Sequence, residues 1–135
     1  MGIRILTVDD DKTIRLLLRR LLETHSAWEV CGEACDGREA IRQAEQLKPD
    51  VIIMDLAMPV MNGLQAAERL SQVCPNVPLL LISVQQVTTQ FEETARRAGF
   101  KGAVTKANGV EVIAGVEALL EKRTFFVIDG PSRVA

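Results

Sequence analysis

The run Val51-Ile52-Ile53-Met54, ending on Asp55, constrains the fold more than any other stretch of the chain. Consecutive apolar residues after the breaker sequence Lys48-Pro49-Asp50 predict a short strand buried on both faces, as in a parallel sheet. A loop holding Pro59 and closing with Asn62-Gly63 follows, and a helical pattern opens at Leu64. Open α/β sheets place their chemistry outside the carboxyl ends of such strands, which is where Asp55 falls. The competing reading of Asp55 is a helix-capping or loop-start residue.

The rest of the chain repeats this pattern. Ile3 to Val8 reads as a strand followed by Asp9-Asp10-Asp11, then Ile14, Leu17, Leu18, Leu21 and Leu22 recur at helical spacing up to about His25. Trp28 to Cys35 is a second strand of mixed polarity, placed nearer the sheet edge, and Ala40, Ile41, Ala44 and Leu47 mark a second helix. Leu64, Ala67, Leu70 and Cys74 give a third helix, and Leu79 to Ser83 a continuously apolar fourth strand. Phe91, Ala95 and Ala98 face inward on a fourth helix, Gly102 to Lys106 forms a short fifth strand, and Val112, Val116, Leu119 and Leu120 line the last helix. Five β-α units in alternation imply a doubly wound α/β fold, with a five-stranded parallel sheet of order 2-1-3-4-5 in a flavodoxin-like three-layer sandwich. At 135 residues this is one domain, expected over 1–122, with 123–135 a C-terminal tail or the start of a linker. Within that tail Phe125-Phe126-Val127-Ile128 either packs on the domain or begins a connection to another segment.

Bulk properties narrow the function classes. A net charge of −2 offers no general basic field for nucleic acid or an anionic membrane. No apolar run is long enough for a membrane span, and the start goes straight into a strand with no signal-peptide core, so the expected location is cytoplasmic. Cys31, Cys35 and Cys74 include no CxxC spacing and are expected as buried, reduced thiols.

The strand ends carry a consistent chemistry. Asp9 and Asp10 follow strand one, Asp55 ends strand three, Ser83 ends strand four and Lys106 ends strand five. Strands one and three are neighbours in the expected order, so the three acids converge. Bringing carboxylates within about 4–5 Å costs several kcal/mol per pair unless a cation intervenes. Hard oxygen ligands of this kind suit Mg²⁺, and a carboxylate can act as the nucleophile that becomes an aspartyl phosphate. Lys106 and Ser83 would then meet phosphoryl oxygens. Neither a GxxxxGK[ST] loop nor a GxGxxG after strand one is present, which argues against a P-loop-bound nucleotide as donor.

Val8-Asp9-Asp10, Asp55-Leu56-x-Met58-Pro59-x-x-Asn62-Gly63, Ser83 and Lys106 together resemble the receiver domain of two-component response regulators, over residues 3 to about 122. The resemblance implies that Asp55 accepts a phosphoryl group from a sensor histidine kinase. It implies that Asp10 and Asp55 bind Mg²⁺ directly, with Asp9 acting through water and the carbonyl of Ala57 completing the protein ligands. Ser83 and Lys106 would read the phosphoryl group and move a face built from helix four, strand five and helix five. The implied role is signalling rather than enzymatic, with a homodimer among the implied assemblies and a DNA-binding transcriptional regulator among the implied contexts. No nucleic acid or membrane contact is expected from these residues.

The chain departs from that family at four positions. Ala103 stands where an aromatic switch residue is common, and Val84 follows Ser83 where a small residue is usual and is expected to crowd the phosphoryl pocket. Ala107 replaces a common proline, making the 106–107 peptide bond trans or strained. Ala57 offers no polar side chain to steer water toward an acyl phosphate. Two alternatives stay open: a pseudo-receiver that binds protein without phosphorylation, and a haloacid-dehalogenase-like phosphatase using Asp9-x-Asp11-x-Thr13, with Ser83 and Lys106 as its further motifs. Among single residues, Asp11 is expected to cap the first helix, and His25 to complement a helix dipole.

Overall fold

A computed structural model describes residues 2–58, 60–84, 87–106 and 108–127. The chain alternates β1 (Ile3–Val8), α1 (Lys12–Leu22), β2 (Trp28–Ala34), α2 (Gly37–Leu47), β3 (Val51–Asp55), α3 (Gly63–Val73), β4 (Leu79–Ser83), α4 (Thr89–Ala98), β5 (Phe100–Thr105), α5 (Gly109–Leu120) and β6 (Phe125–Phe126). All strands pair in parallel, in the order β2-β1-β3-β4-β5-β6. The five expected strands keep their expected order. The sixth is added by Phe125–Phe126 on the outer edge of β5, so these two rings pack on the sheet.

Burial explains why β3 is central. Val51, Ile52, Ile53 and Met54 are all 0 % exposed, because alternate side chains enter cores on opposite faces of the sheet. Ile52 and Met54 pack with Ala40, Ala44, Ala66, Leu70 and Ala95 from α2, α3 and α4. Val51 and Ile53 pack with Leu18, Leu22, Val112 and Val116 from α1 and α5. Full burial of each large apolar side chain contributes about 1.5–3 kcal/mol, which fixes the strand's position from both sides.

Helix starts are set by short polar side chains. The carboxylate of Asp11 accepts hydrogen bonds from the N–H groups of Thr13 (2.8 Å) and Ile14 (3.4 Å), so this residue caps α1 as expected. Asn62 and Gln65 form a reciprocal capping box that opens α3 one residue before the helical pattern in the sequence begins. α1 ends at Leu22, short of the expected His25, because Thr24 and His25 turn back onto Leu21 and Leu22 and Ala27 takes a positive φ of 73°. Leu17, expected on the buried face of α1, is 54 % exposed, since Leu18 and Leu22 take that face.

The thiols also differ from expectation. All three are free, but Cys35 lies just past the end of β2 and is exposed, while Cys31 and Cys74 are half-buried. His25 stacks on Trp28, with ring centroids 3.8 Å apart, and its Nε2 lies 3.5 Å from Glu117. Ala107 and residues 128–135, including Ile128 of the apolar tail, fall outside the described residues.

The loop between β3 and α3 depends on Gly63. Its N–H donates to the carbonyl of Leu56 (2.8 Å), and a Cβ there would stand 2.5 Å from the carbonyl oxygen of Asp55. Neither backbone can yield without moving Asp55. Gly63→Ala is therefore expected to destabilise the fold by about 2–3 kcal/mol, read as a lower urea midpoint with an unchanged m-value.

Candidate functional site

The carboxyl ends of β1, β3, β4 and β5 meet at one rim of the sheet. β1 pairs with β3 up to Val8 opposite Met54, which brings Asp9 and Asp10 beside Asp55. β3 pairs with β4 so that Asp55 lies opposite Ile82, and β4 pairs with β5 so that Ser83 lies opposite Thr105. The residues expected from the sequence thus reach one place from four adjacent strands.

One oxygen from each of Asp9, Asp10 and Asp55 lies within 4.8 Å of the other two. Asp9 is fully buried, Asp55 is nearly so, and Asp10 opens to solvent. Lys106 enters from the end of β5. Its Nζ lies 2.7 Å from Asp9 Oδ2 and 3.1 Å from Asp55 Oδ1. The remaining oxygen of Asp9 accepts from the N–H of Asp11 (2.9 Å), and Asp55 Oδ1 also accepts from the N–H of Leu56 (2.9 Å).

These contacts set the electrostatics. Burial pushes the Asp55 carboxyl above its ordinary value, the charge of Asp9 pushes it further, and Lys106 only partly offsets both. Burial works against the charged form of Lys106. Its hydrogen bonds and ion pairs with Asp9 and Asp55 outweigh that, so the ammonium is held above its ordinary value. The site is a crowded set of acids with one internal cation, and Asp10 is the acid that faces water.

Ser83 is half-buried at the end of β4, and its carbonyl accepts from the N–H of Lys106 (2.8 Å). That bond ties the ends of β4 and β5 together. Ala57 lies exposed in the loop two positions beyond Asp55. Val84 is 77 % exposed, so its side chain does not occupy space among the acids, contrary to the expected crowding. Ala103 is 0 % exposed and lies in register with Phe126, so the buried position without a ring on β5 has one beside it on β6.

Sequence reading missed two supports. Arg15 donates from Nη1 to the carbonyl of Asp9 (2.6 Å) and from Nε to Glu33 (3.1 Å), which fixes the turn carrying the acids. Arg19 reaches the same Glu33 (2.9 Å), and both arginines hold its carboxyl below the usual range against the effect of burial. The signal was available in the spacing of Arg15 and Arg19 on one helix face opposite an acid on the edge strand. Gly63, read only as part of a turn, seats α3 against the backbone of Asp55.

The ion-pair geometry gives opposite signs for two substitutions. The folded-state pKa of Asp55 is raised, so at neutral pH its charged form destabilises the metal-free fold. That penalty fades as pH falls through the raised value and is gone below the ordinary value of 3.8. Asp55→Asn is expected to stabilise the metal-free protein at pH 7 by about 1 kcal/mol, allowing for solvent screening at the pocket mouth, with no gain at pH 3. Lys106→Met leaves buried Asp9 without its cation and is expected to cost about 3 kcal/mol under the same conditions. Urea unfolding of both variants with a chelator present checks the signs.

This geometry has known relatives. The family model for the response regulator receiver domain matches residues 5–120. The chain is 38 % identical over 106 residues to the chemotaxis protein CheY of Thermotoga maritima, covering 78 % of this chain and 87 % of that protein. It is 39 % identical over 101 residues to protein-glutamate methylesterase/protein-glutamine glutaminase 1 of Methanosarcina acetivorans, covering 75 % of this chain but only 28 % of that protein. The crystal structure of a LuxR-family two-component response regulator from Aurantimonas sp. SI85-9A1 superposes with a TM-score of 0.87 at 32 % identity, covering 93 % of this chain and 89 % of that one. The sheet order, the acids at the ends of β1 and β3 and these matches have one reading: the chain belongs to the response regulator receiver domain family.

Proposed function

We propose that residues 1–122 form a phosphoacceptor receiver unit in which Asp55 takes a phosphoryl group from the phosphohistidine of a partner kinase. The single observation that carries this reading is the placement of the Asp55 carboxylate, held 3.1 Å from the Lys106 ammonium with Asp9 and Asp10 within 4.8 Å. An Asp55 oxygen forms the new P–O bond as the P–N bond of the donor breaks, and the electron pair leaves on the imidazole nitrogen. With a small donor such as acetyl phosphate, a P–O bond breaks instead and acetate leaves.

The donor set fits a hard divalent cation. Three carboxylate oxygens converge, one acid faces water, and burial together with the charge of Asp9 raises the Asp55 carboxyl. Asp10 and Asp55 would hold Mg²⁺, with Asp9 acting through water and the Ala57 carbonyl completing the set. When bound, the ion would supply positive charge against the acids and the incoming phosphoryl oxygens. Lys106 is the chain's own contribution to that charge: it pairs with Asp55 before transfer and faces the phosphoryl group after it. Ser83 would offer its hydroxyl from the strand whose carbonyl already holds the backbone of Lys106.

The consequence is a change of charge at one rim. An aspartyl phosphate adds up to about two negative charges where Lys106 and Ser83 are tied together, which biases the elements that follow them. The receiver is thus a signalling domain whose partners are a sensor histidine kinase and, as a further assembly, a second copy of this chain. A transcriptional output would lie in another part of a longer protein or in a partner. Among the described residues no helix is long and apolar enough to cross a membrane. A phosphatase using Asp9 as nucleophile has no support here, since Asp9 is 0 % exposed with one oxygen on Lys106 and the other on a backbone N–H.

Intact-mass measurement after incubation with acetyl phosphate and Mg²⁺ tests the reading. One added phosphoryl group is expected, absent in Asp55→Asn, and reduced in initial rate by at least about tenfold in Asp10→Asn. Unmodified wild-type protein would instead favour a protein-binding module that does not use phosphorylation.

A further inference from the structure

The rim is linked to the far edge of the sheet through β6. Gly102 of β5 lies opposite Phe125, and a Cβ at Gly102 would stand 2.7 Å from the Phe125 carbonyl oxygen. A Cβ at Gly115 of α5 would stand 3.2 Å from the Leu80 side chain and 3.4 Å from the Phe125 ring. Ala103, the next small residue on β5, is in register with Phe126. Three small residues from two elements therefore form a cradle for a strand of two phenylalanines.

The cradle holds that strand on both faces. Phe125 packs with Leu80, Val116 and Leu119 on the side of α5, while Phe126 packs into the cluster formed with α3 and α4. The N–H of Val127 donates to the Ala103 carbonyl (2.9 Å). Arg96 of α4 lies 4.1 Å from the centre of the Phe126 ring, and its Nε donates to Glu92 (2.6 Å). Yet the strand is short, half-buried and on the sheet edge, which places it at the low-stability end of the fold.

β6 touches two elements that connect to the rim. β5 leads from Ala103 to Lys106, and α4 lies downstream of Ser83. We propose that residues 125–127 are a displaceable strap, docked on β5 and α4 while Asp55 is unmodified and released when Asp55 carries a phosphoryl group. The proposal rests on the phosphoacceptor reading above. Movement of Lys106 and Ser83 toward the phosphoryl oxygens shifts the end of β5 and the start of α4. That shift separates Arg96 from Phe126 and opens the Val127–Ala103 hydrogen bond. Release uncovers the outer edge of β5, the buried Ala103 and the apolar wall formed by Gly102 and Gly115.

Hydrogen–deuterium exchange of the full chain tests this, with phosphate content measured by intact mass on the same sample after acetyl phosphate and Mg²⁺. Exchange in the 124–127 segment is expected to quicken by about tenfold on phosphorylation, while core amides of β1 and β3 stay protected. Unphosphorylated G102A is expected to show the same fast exchange, because its added methyl expels the strap. If that variant does not fold, F126A gives the same reading. Incorporated phosphate with unchanged or slower exchange in 124–127 overturns the strap and leaves the phosphoacceptor reading standing. Absence of incorporated phosphate overturns that reading and the coupling with it.

Discussion

Lys106 between Asp9 and Asp55 is the contact on which the functional end of the molecule depends. Two acids sit side by side in a region from which water is nearly excluded, an arrangement that is unfavourable without a cation. The ammonium supplies that charge from within the chain. It can do so only because β5 delivers it from two strands away and because the carbonyl of Ser83 fixes its backbone. The arrangement places Lys106 in contact with both acids. It partly offsets the two acids in the unmodified protein and, on the proposed function, would be available to the phosphoryl oxygens after transfer.

The surrounding fold is built to hold those charges in place rather than to enclose a cavity. β3 is locked from both faces by apolar side chains, so Asp55 is presented at a fixed height. Gly63 lets α3 approach the Asp55 backbone closely, and Arg15 pins the carbonyl of Asp9. The strained point of the same loop is Val60, a β-branched residue with φ of 68° whose side chain is exposed.

Much of this was legible in the sequence because it follows from local patterns. Continuous apolar runs marked the buried strands, helical spacing marked the five helices, and the acids, serine and lysine fell at strand ends. What was not legible depends on residues distant in sequence. β6 lies where Gly102 leaves room for the Phe125 backbone and Gly115, in a different element, lies against its ring. Leu17 looked interior because it shares helical spacing with Ile14 and Leu21, yet Leu18 and Leu22 take the buried face and leave it exposed. Lys106 was assigned to phosphoryl oxygens, and its ion pair with Asp9 in the unmodified protein needed the register of four strands to become visible. Val84 was expected to intrude on the site, but the chain turns its side chain to solvent after β4.

The central claim is that acids from β1 and β3 form one cation pocket beside Lys106. Thermal unfolding measured against Mg²⁺ concentration tests it most directly, because an ion bound only by the folded state must raise stability by mass action. The account predicts a rise of about 2.7 kcal/mol at a hundredfold excess over the dissociation constant, lost in Asp10→Asn. A melting temperature that does not change with Mg²⁺, or a rise that Asp10→Asn leaves intact, would contradict it.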